Sequence, residues 1–390
     1  MMFCLACCNH SLTWANSDFL LGLELEQRVF VESPAYAGQL HDSQTSVSIQ
    51  PEWSWEFEGF DLRFNVVGFY REDRQDEERS HGDLRELYLY YEQGDWDLLV
   101  GINKVFWGVT ESRHLVDVIN QTDILENIDL EDKLGQPMVN WNWLLGSGQL
   151  SLFWLPRFRE QAFSGEGGRF RPPFLVNHEL TLYESADRDK HQDWSIRYSH
   201  VFDAVDLGIA YFDGTSREPR LVQVSGSNVI RPIYDLMQQT GLDFQYTGEA
   251  VLLKSEIMYR ETRVDAFEAS IAGFEYTFYQ VFDSAADVGV LVEYLWDGRD
   301  SISPSTPFEH DWFIGGRYTL NNIQDTQLLA GVIIDAHHQH TFITVEFERR
   351  LGQDFSLQIS GQGAVDQSDQ DPLFFITQDG FLQFALNYFY

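Results

Sequence analysis

From Leu20 onward nearly every segment of this chain alternates apolar and polar residues with period two, the pattern of strands with two unlike faces. Val47, Ile49, Trp53, Trp55 and Phe57 share one face of residues 45–57, while Ser48, Gln50, Glu52, Ser54 and Glu56 share the other. Val288, Val290, Val292, Tyr294 and Trp296 likewise oppose Gly289, Glu293 and Asp297. Helical periodicity is weak outside the loops. A chain of 390 residues would ordinarily divide into two or three domains. No Pro/Gly/Ser-rich linker or shift in composition divides this one, and large single barrels are the usual exception. No apolar run reaches the ~18 residues a membrane helix needs. Aromatics are abundant, with 30 Phe, 17 Tyr and 11 Trp. Two classes remain: a soluble all-β protein, or a barrel whose aromatic girdles flank a lipid-facing band. A formal charge of −35 excludes nucleic acid as a partner, since its binding face would be basic.

The connections separate these classes. Short turns fall at Glu58-Gly59, Gln93-Gly94, Ser147-Gly148, Asp203, Gly248, Asp283, Asn321-Asn322 and Gly352. Between them lie longer polar connections over 71–82, 108–136, 157–192, 214–237, 297–310 and 364–379. That rhythm predicts an all-β, transmembrane, up-and-down antiparallel β-barrel with short periplasmic turns and long extracellular loops. The count is about eighteen strands, beginning near Leu20, with sixteen as the neighbouring even number. Its ambiguous places are 336–340, a very short outer loop, and 177–185, strand or helix. The last strand is the most specific signal: Tyr390 ends the chain, and Tyr388, Leu386, Phe384 and Leu382 recur at every second position before it. Such an aromatic-terminated strand resembles the segment that the barrel-assembly machinery reads. Outer-membrane lipid and lipopolysaccharide are the expected surroundings, in a Gram-negative outer membrane.

Cys4, Cys7 and Cys8 all lie in the first eight residues, so the rest of the chain carries no disulfide framework. Residues 1–15 read as the remnant of a secretory signal, apolar at first with small residues near Ala15, although no basic residue precedes Arg28. Residues 16–390 then form a single barrel domain, and strand pattern from Leu20 leaves no room for a plug domain.

No Gly-x-Ser-x-Gly elbow, His-Glu-x-x-His, phosphate loop or dinucleotide fingerprint is present. An enzyme is therefore not expected, and no cofactor is implied; a phospholipase-like barrel is the least favoured alternative. His337, His338 and His340 are weak candidates for a divalent metal, since three imidazoles in four loop residues rarely make a preorganised site.

Trp107-Gly108 closes a strand and is followed by Asp117-Val-Ile-Asn120-Gln-Thr-Asp123. This segment resembles the "WG…D-x-x-N-P-x-D" stretch of alginate-export-type barrels and related porin-like proteobacterial families, with Gln121 where that pattern often has Pro. The resemblance implies a loop folded inward to constrict a pore, with Arg113, Asp117, Asn120 and Asp123 near the permeation path; Trp107 and Gly108 are equally well read as structural. With the apolar face toward lipid, the opposite face collects Glu52, Glu56, Asp97, Glu256 and Glu293 together with Arg63, Arg197, Lys254, Arg260 and Arg317. The expected function is passive diffusion of small polar or charged solutes, in a monomer or trimer. The acidic excess favours cations, whereas convergence of Arg63, Arg197, Arg260 and Arg317 at the narrowest point would favour anions. A structural or adhesive barrel with a loop-blocked lumen is the main rival.

Overall fold

The computed structural model describes residues 14–57, 59–306, 308–336, 341–365 and 379–390. His337, His338 and His340, and most of the expected signal segment, lie outside the described residues. Seven strands come first: β1 (Trp14–Phe30), β2 (Ser43–Phe57), β3 (Leu62–Asp73), β4 (His81–Gln93), β5 (Trp96–Asn103), β6 (Gln136–Leu145) and β7 (Gly148–Leu155). Two short strands, β8 (Leu175–Val176) and β9 (Leu182–Tyr183), precede β10 (Asp193–Phe202) and β11 (Val205–Thr215). The hairpin β12 (Arg220–Gln223) and β13 (Val229–Tyr234) follows. The rest of the chain supplies β14 (Leu236–Thr247), β15 (Val251–Thr262), β16 (Ala266–Phe278), β17 (Asp287–Asp297), β18 (His310–Thr319), β19 (Gln327–Asp335), β20 (Thr341–Leu351), β21 (Phe355–Val365) and β22 (Phe381–Phe389).

All of these except β8, β9, β12 and β13 join one eighteen-stranded antiparallel sheet that closes on itself, because β22 pairs with both β21 and β1. Closure leaves no unpaired edge, which is what lets strands cross a medium that cannot hydrogen-bond to them. Tyr390 completes the seam: its N–H donates to Leu21 O and its carbonyl accepts from Leu21 N, both at 3.1 Å. The first strand begins at Trp14, earlier than alternation indicates. Asn16, Ser17 and Asp18 break the apolar period, yet backbone pairing with Glu56, Trp55 and Ser54 carries the strand past it.

The two faces follow the alternation. Leu25, Val47, Ile49, Ile209, Leu253, Ile257, Ile314 and Ile343 stand exposed on the outer face. Aromatics gather at both rims of that band: Trp154, Trp194, Tyr211, Tyr259 and Trp312 toward the long-loop end, Trp143, Phe202, Tyr276, Phe278 and Tyr388 toward the turn end. Trp154 stacks on Trp194 with centroids 6.1 Å apart, and Phe355 packs on Tyr388 at 5.0 Å.

The sorting of connections is blurred in places: the loop-end connection 263–265 between β15 and β16 is only three residues long, and the turn-end connections 279–286 and 320–326 run to eight and seven. Residues 177–185 hold a single 3-10 turn (His178–Leu180) and β9, both outside the barrel wall. Within 216–235 the hairpin β12–β13 pairs with β8 and β9 into a second small sheet. The 156–192 loop reaches across the loop-end mouth. There the buried Arg169 pairs with Asp379 and donates to the carbonyls of Glu32, Leu40 and His41.

Candidate functional site

The connection between β5 and β6, residues 104–135, folds into the barrel and divides it. Its two ends are clipped together by Asn120, buried at 2% exposure. The Asn120 Oδ1 accepts from Val105 N (2.9 Å), and its Nδ2 donates to Asn103 O (2.9 Å) and Leu134 O (2.8 Å). Trp107 turns inward against Phe153 (5.5 Å, edge to face) beneath the Arg197 guanidinium (5.1 Å). Gly108 is needed for close approach, since a Cβ there would sit 2.5 Å from His114 Nδ1.

Two inward carboxylates of the wall anchor the loop. Glu256 on β15, wholly buried, accepts from Val109 N (2.7 Å), Thr110 N (3.1 Å), Thr110 Oγ1 (2.8 Å), Leu115 N (2.6 Å) and Val116 N (3.2 Å). Glu293 on β17 accepts from Glu111 N (2.8 Å), Ser112 N (2.9 Å) and Ser112 Oγ (2.5 Å). The N–H and O–H donors around each carboxylate replace the water that burial takes away. His114, in the loop, is charged at neutral pH. Burial works against its proton, but Glu131 (3.1 Å) and Glu256 (3.7 Å) raise it to about 9.

The anchored loop fills one side of the lumen. Val116, Val118, Ile119 and Trp107 of the loop pack with Leu99, Met138, Phe153, Leu155, Ala210, Phe212 and Met237 from β5–β7, β11 and β14. Leu115 packs into a second cluster with Met258, Phe267, Ile271, Leu291, Leu295 and Phe313. Each Å² of apolar surface so removed from water stabilises the loop's position by ~25 cal/mol.

On the opposite side an open cavity of about 580 Å³ runs between the loop and the wall formed by β18–β22 and β1–β3. Its lining carries Glu24, Glu26, Glu111, Glu126, Asp129, Glu131, Asp132, Glu346 and Glu348, against the cations Arg71 and Arg317. Asp132 is open to the water of the cavity, yet its enclosure by the barrel wall, and then the like charges of Asp129 and Glu126, hold its carboxyl up to about 7.

The residues singled out in the sequence distribute across this geometry. Arg317 lines the cavity and donates to Glu111 Oε1 (2.8 Å), and Lys254 approaches Glu111 at 3.6 Å. Arg63 pairs with Glu56 (3.2 Å) toward the turn end. Arg197 grips Asp243 through both terminal nitrogens (2.7 and 2.8 Å). Arg260 pairs with Glu218 (2.8 Å). Burial works against the Glu218 charge, yet Arg299, Arg260 and Arg113 hold its carboxyl well below the usual range. The four arginines whose convergence would favour anions therefore sit on four different carboxylates. Glu52 accepts from Gln50 (2.7 Å) and Asp97 from Asn142 (2.8 Å). Neither lines the cavity.

Of the loop residues, Arg113 pairs with Asp297 and Glu218 (3.4 and 3.3 Å). Asp117 pairs with Lys133 (3.1 Å), and Asp123 with Arg85 (2.6 Å). Asp117, Asn120 and Asp123 are buried and hold the loop together; they do not line the cavity. The loop acids that do face it are Glu111 and, in the densest acidic stretch of the loop, Glu126, Asp129, Glu131 and Asp132. That composition was the available signal for them.

Solved structures share this architecture. OpdQ of Pseudomonas aeruginosa superposes with a TM-score of 0.55 at 11% identity, covering 96% of this chain and 98% of that one. The fold is that of porin-like outer-membrane barrels. A BenF-like porin from Pseudomonas fluorescens Pf-5 matches equally, at 0.55 and 10% identity, covering 96% and 98%. Wzi, an outer-membrane protein involved in group 1 capsule assembly in Escherichia coli and described as a carbohydrate-binding β-barrel, matches at 0.54 and 9%, covering 95% and 84%. No protein-family model matches the chain, and no curated protein matches it in sequence.

Proposed function

We propose that this protein is a non-enzymatic channel of the bacterial outer membrane for passive diffusion of small polar solutes, with a preference for cations. The observation that carries the reading is the cavity: nine carboxylates and two guanidiniums line an open volume of about 580 Å³ beside the constriction loop. Fields of one sign concentrate in a water-filled passage with low-dielectric walls and enrich the opposite ion. The alternative basis for anion preference, a shared arginine constriction, lacks support because Arg63, Arg197, Arg260 and Arg317 are each neutralised separately. The resemblance of residues 107–123 to alginate-export-type and related porin-like barrels agrees with an inward loop, while an acidic lining argues against an acidic polysaccharide as cargo.

A potassium chloride gradient across a planar bilayer tests the proposal. A cation-selective reversal potential is expected, shrinking as salt rises and the Debye length falls from ~10 Å at 0.1 M to ~3 Å at 1 M. An anion-selective potential would overturn it. One observation favours a second reading: the loop core and the Arg169–Asp379 contact across the mouth occupy much of the lumen. A barrel with no conductance at all would move the assignment to a structural or glycan-binding role.

A further inference from the structure

We infer that His81, Asp123 and Glu126 form a binding site for a divalent first-row transition metal such as Zn2+, at the edge of the cavity where the constriction loop returns to the wall. Among the described residues this is the cluster of three metal-ligating side chains whose donor atoms lie within 4.8 Å of one another.

The tautomer of His81 carries the first step. Its Nδ1 lies 2.9 Å from Arg79 O, a carbonyl that can only accept, so Nδ1 holds a proton. In neutral imidazole the lone pair then belongs to Nε2, as for a metal-ligating histidine whose other nitrogen donates to a carbonyl. That Nε2 faces Asp123 Oδ2 at 3.2 Å and Glu126 Oε1 at 3.7 Å, two acceptors that offer it no hydrogen. Metal–ligand bonds of about 2.0–2.1 Å place two corners of a tetrahedron about 3.3 Å apart. The two spacings from Nε2, 3.2 and 3.7 Å, bracket that value, and Asp123 and Glu126 offer donors within 4.8 Å of each other, so three corners are available with a fourth left open.

The second observation concerns the other oxygen of Asp123, the one that does not face His81. Asp123 Oδ1, on a side chain exposed by only 1%, has no hydrogen-bond partner. A buried carboxylate oxygen without a donor is costly, and a metal chelated through both oxygens of Asp123 would supply what Oδ1 lacks, while Oδ2 also keeps its hydrogen bond from Arg85. The supporting shell is built: Arg85 holds Asp123 at 2.6 Å, and Arg71 holds Glu126 through Nε and Nη2 at 2.7–2.9 Å. Glu126 also lines the cavity, which gives an ion its route in. Mixed imidazole and carboxylate ligands suit Zn2+ and its neighbours better than Ca2+ or Mg2+. Bound there, the metal would tie the returning arm of the loop to the outer end of β4, whether or not the barrel conducts.

The test uses the full-length barrel in detergent with competing ligands removed, Cys4, Cys7 and Cys8 as Ser and His337, His338 and His340 as Asn. Calorimetry with Zn2+ should give one saturable site per chain, weakened more than about 10-fold in His81→Gln, the scale seen when even a supporting group is lost. X-ray absorption on the zinc-loaded background protein should show one imidazole among oxygen ligands, a result independent of whether His81→Gln folds. Absence of a stoichiometric site, unchanged affinity in a folded His81→Gln, or a spectrum without imidazole would each overturn the assignment. In those cases the cluster holds a proton on His81 instead.

Discussion

The two sides of this lumen are built from the same kind of strand and do opposite things. On β5–β7, β11 and β14 inward apolar residues such as Leu99, Met138, Phe153, Phe212 and Met237 seal against the loop through Val116, Val118 and Ile119. On β18–β22 and β1–β3 the inward positions are acidic and polar and leave open space. An inward residue in a wide barrel thus has two possible environments, protein or water, and its chemistry reports which. The anchors Glu256 and Glu293 sit between the regions: they are acidic like the open side but buried like the filled one.

The seam lies on the open side, where Gly22, Leu23, Asn387 and Phe389 border the cavity. The largest effect is therefore expected there. Deleting Tyr388 to Tyr390 removes the pairing with Leu21 and Leu23 and should abolish the heat-modifiable folded barrel in outer-membrane fractions. Normal folded levels would show that the seam does not depend on these pairs.

Next in size is a charge placed on the filled side. Met138→Asp puts a carboxylate where exposure is 2%, and should cost about 3–5 kcal/mol, the scale of an uncompensated buried charge. Glu346→Gln on the open side should change stability by about 0.5 kcal/mol or less. Denaturant unfolding in detergent measures both; equal costs would erase the distinction between the sides.

Much of this was legible in the sequence. Alternation in 45–57 and 288–296 placed Val292 outward and Glu293 inward, and the loop rhythm led to eighteen strands. The contents of the lumen were less legible, for a physical reason. Leu291 and Leu295 share a face with Glu293 and break the two-faced pattern, yet nothing local says that Leu115 covers them. Glu256, which holds the loop, and Glu346, which faces the cavity, sit in equivalent alternating strands; only the fold of residues 104–135 separates them. The β12–β13 hairpin did leave a trace. Val224 meets Val229 across the turn, and Gly226, with a φ of +75°, suits that tight turn.

A smaller effect should appear with pH. Asp132, held up to about 7, loses its charge as pH falls through neutrality, so cation preference should weaken between pH 8 and pH 6. Asp132→Asn should flatten that change. The sign for stability is opposite. A carboxyl raised above its ordinary 3.8 contributes stability that is fully present below that value and lost as pH rises through about 7. Solvent in the cavity screens this contribution, so the reversal potential is the better readout.

The most direct test of the divided lumen is cysteine accessibility during conductance. The native cysteines, Cys4, Cys7 and Cys8, are replaced by Ser, and a single cysteine is introduced at Glu346 or at Met138. A cationic thiol reagent added during single-channel recording should cut the current stepwise in Glu346→Cys, where it reverses a charge in the passage, and leave Met138→Cys unchanged. Modification of Met138→Cys with Glu346→Cys silent would place the path on the other side of the loop and contradict the account.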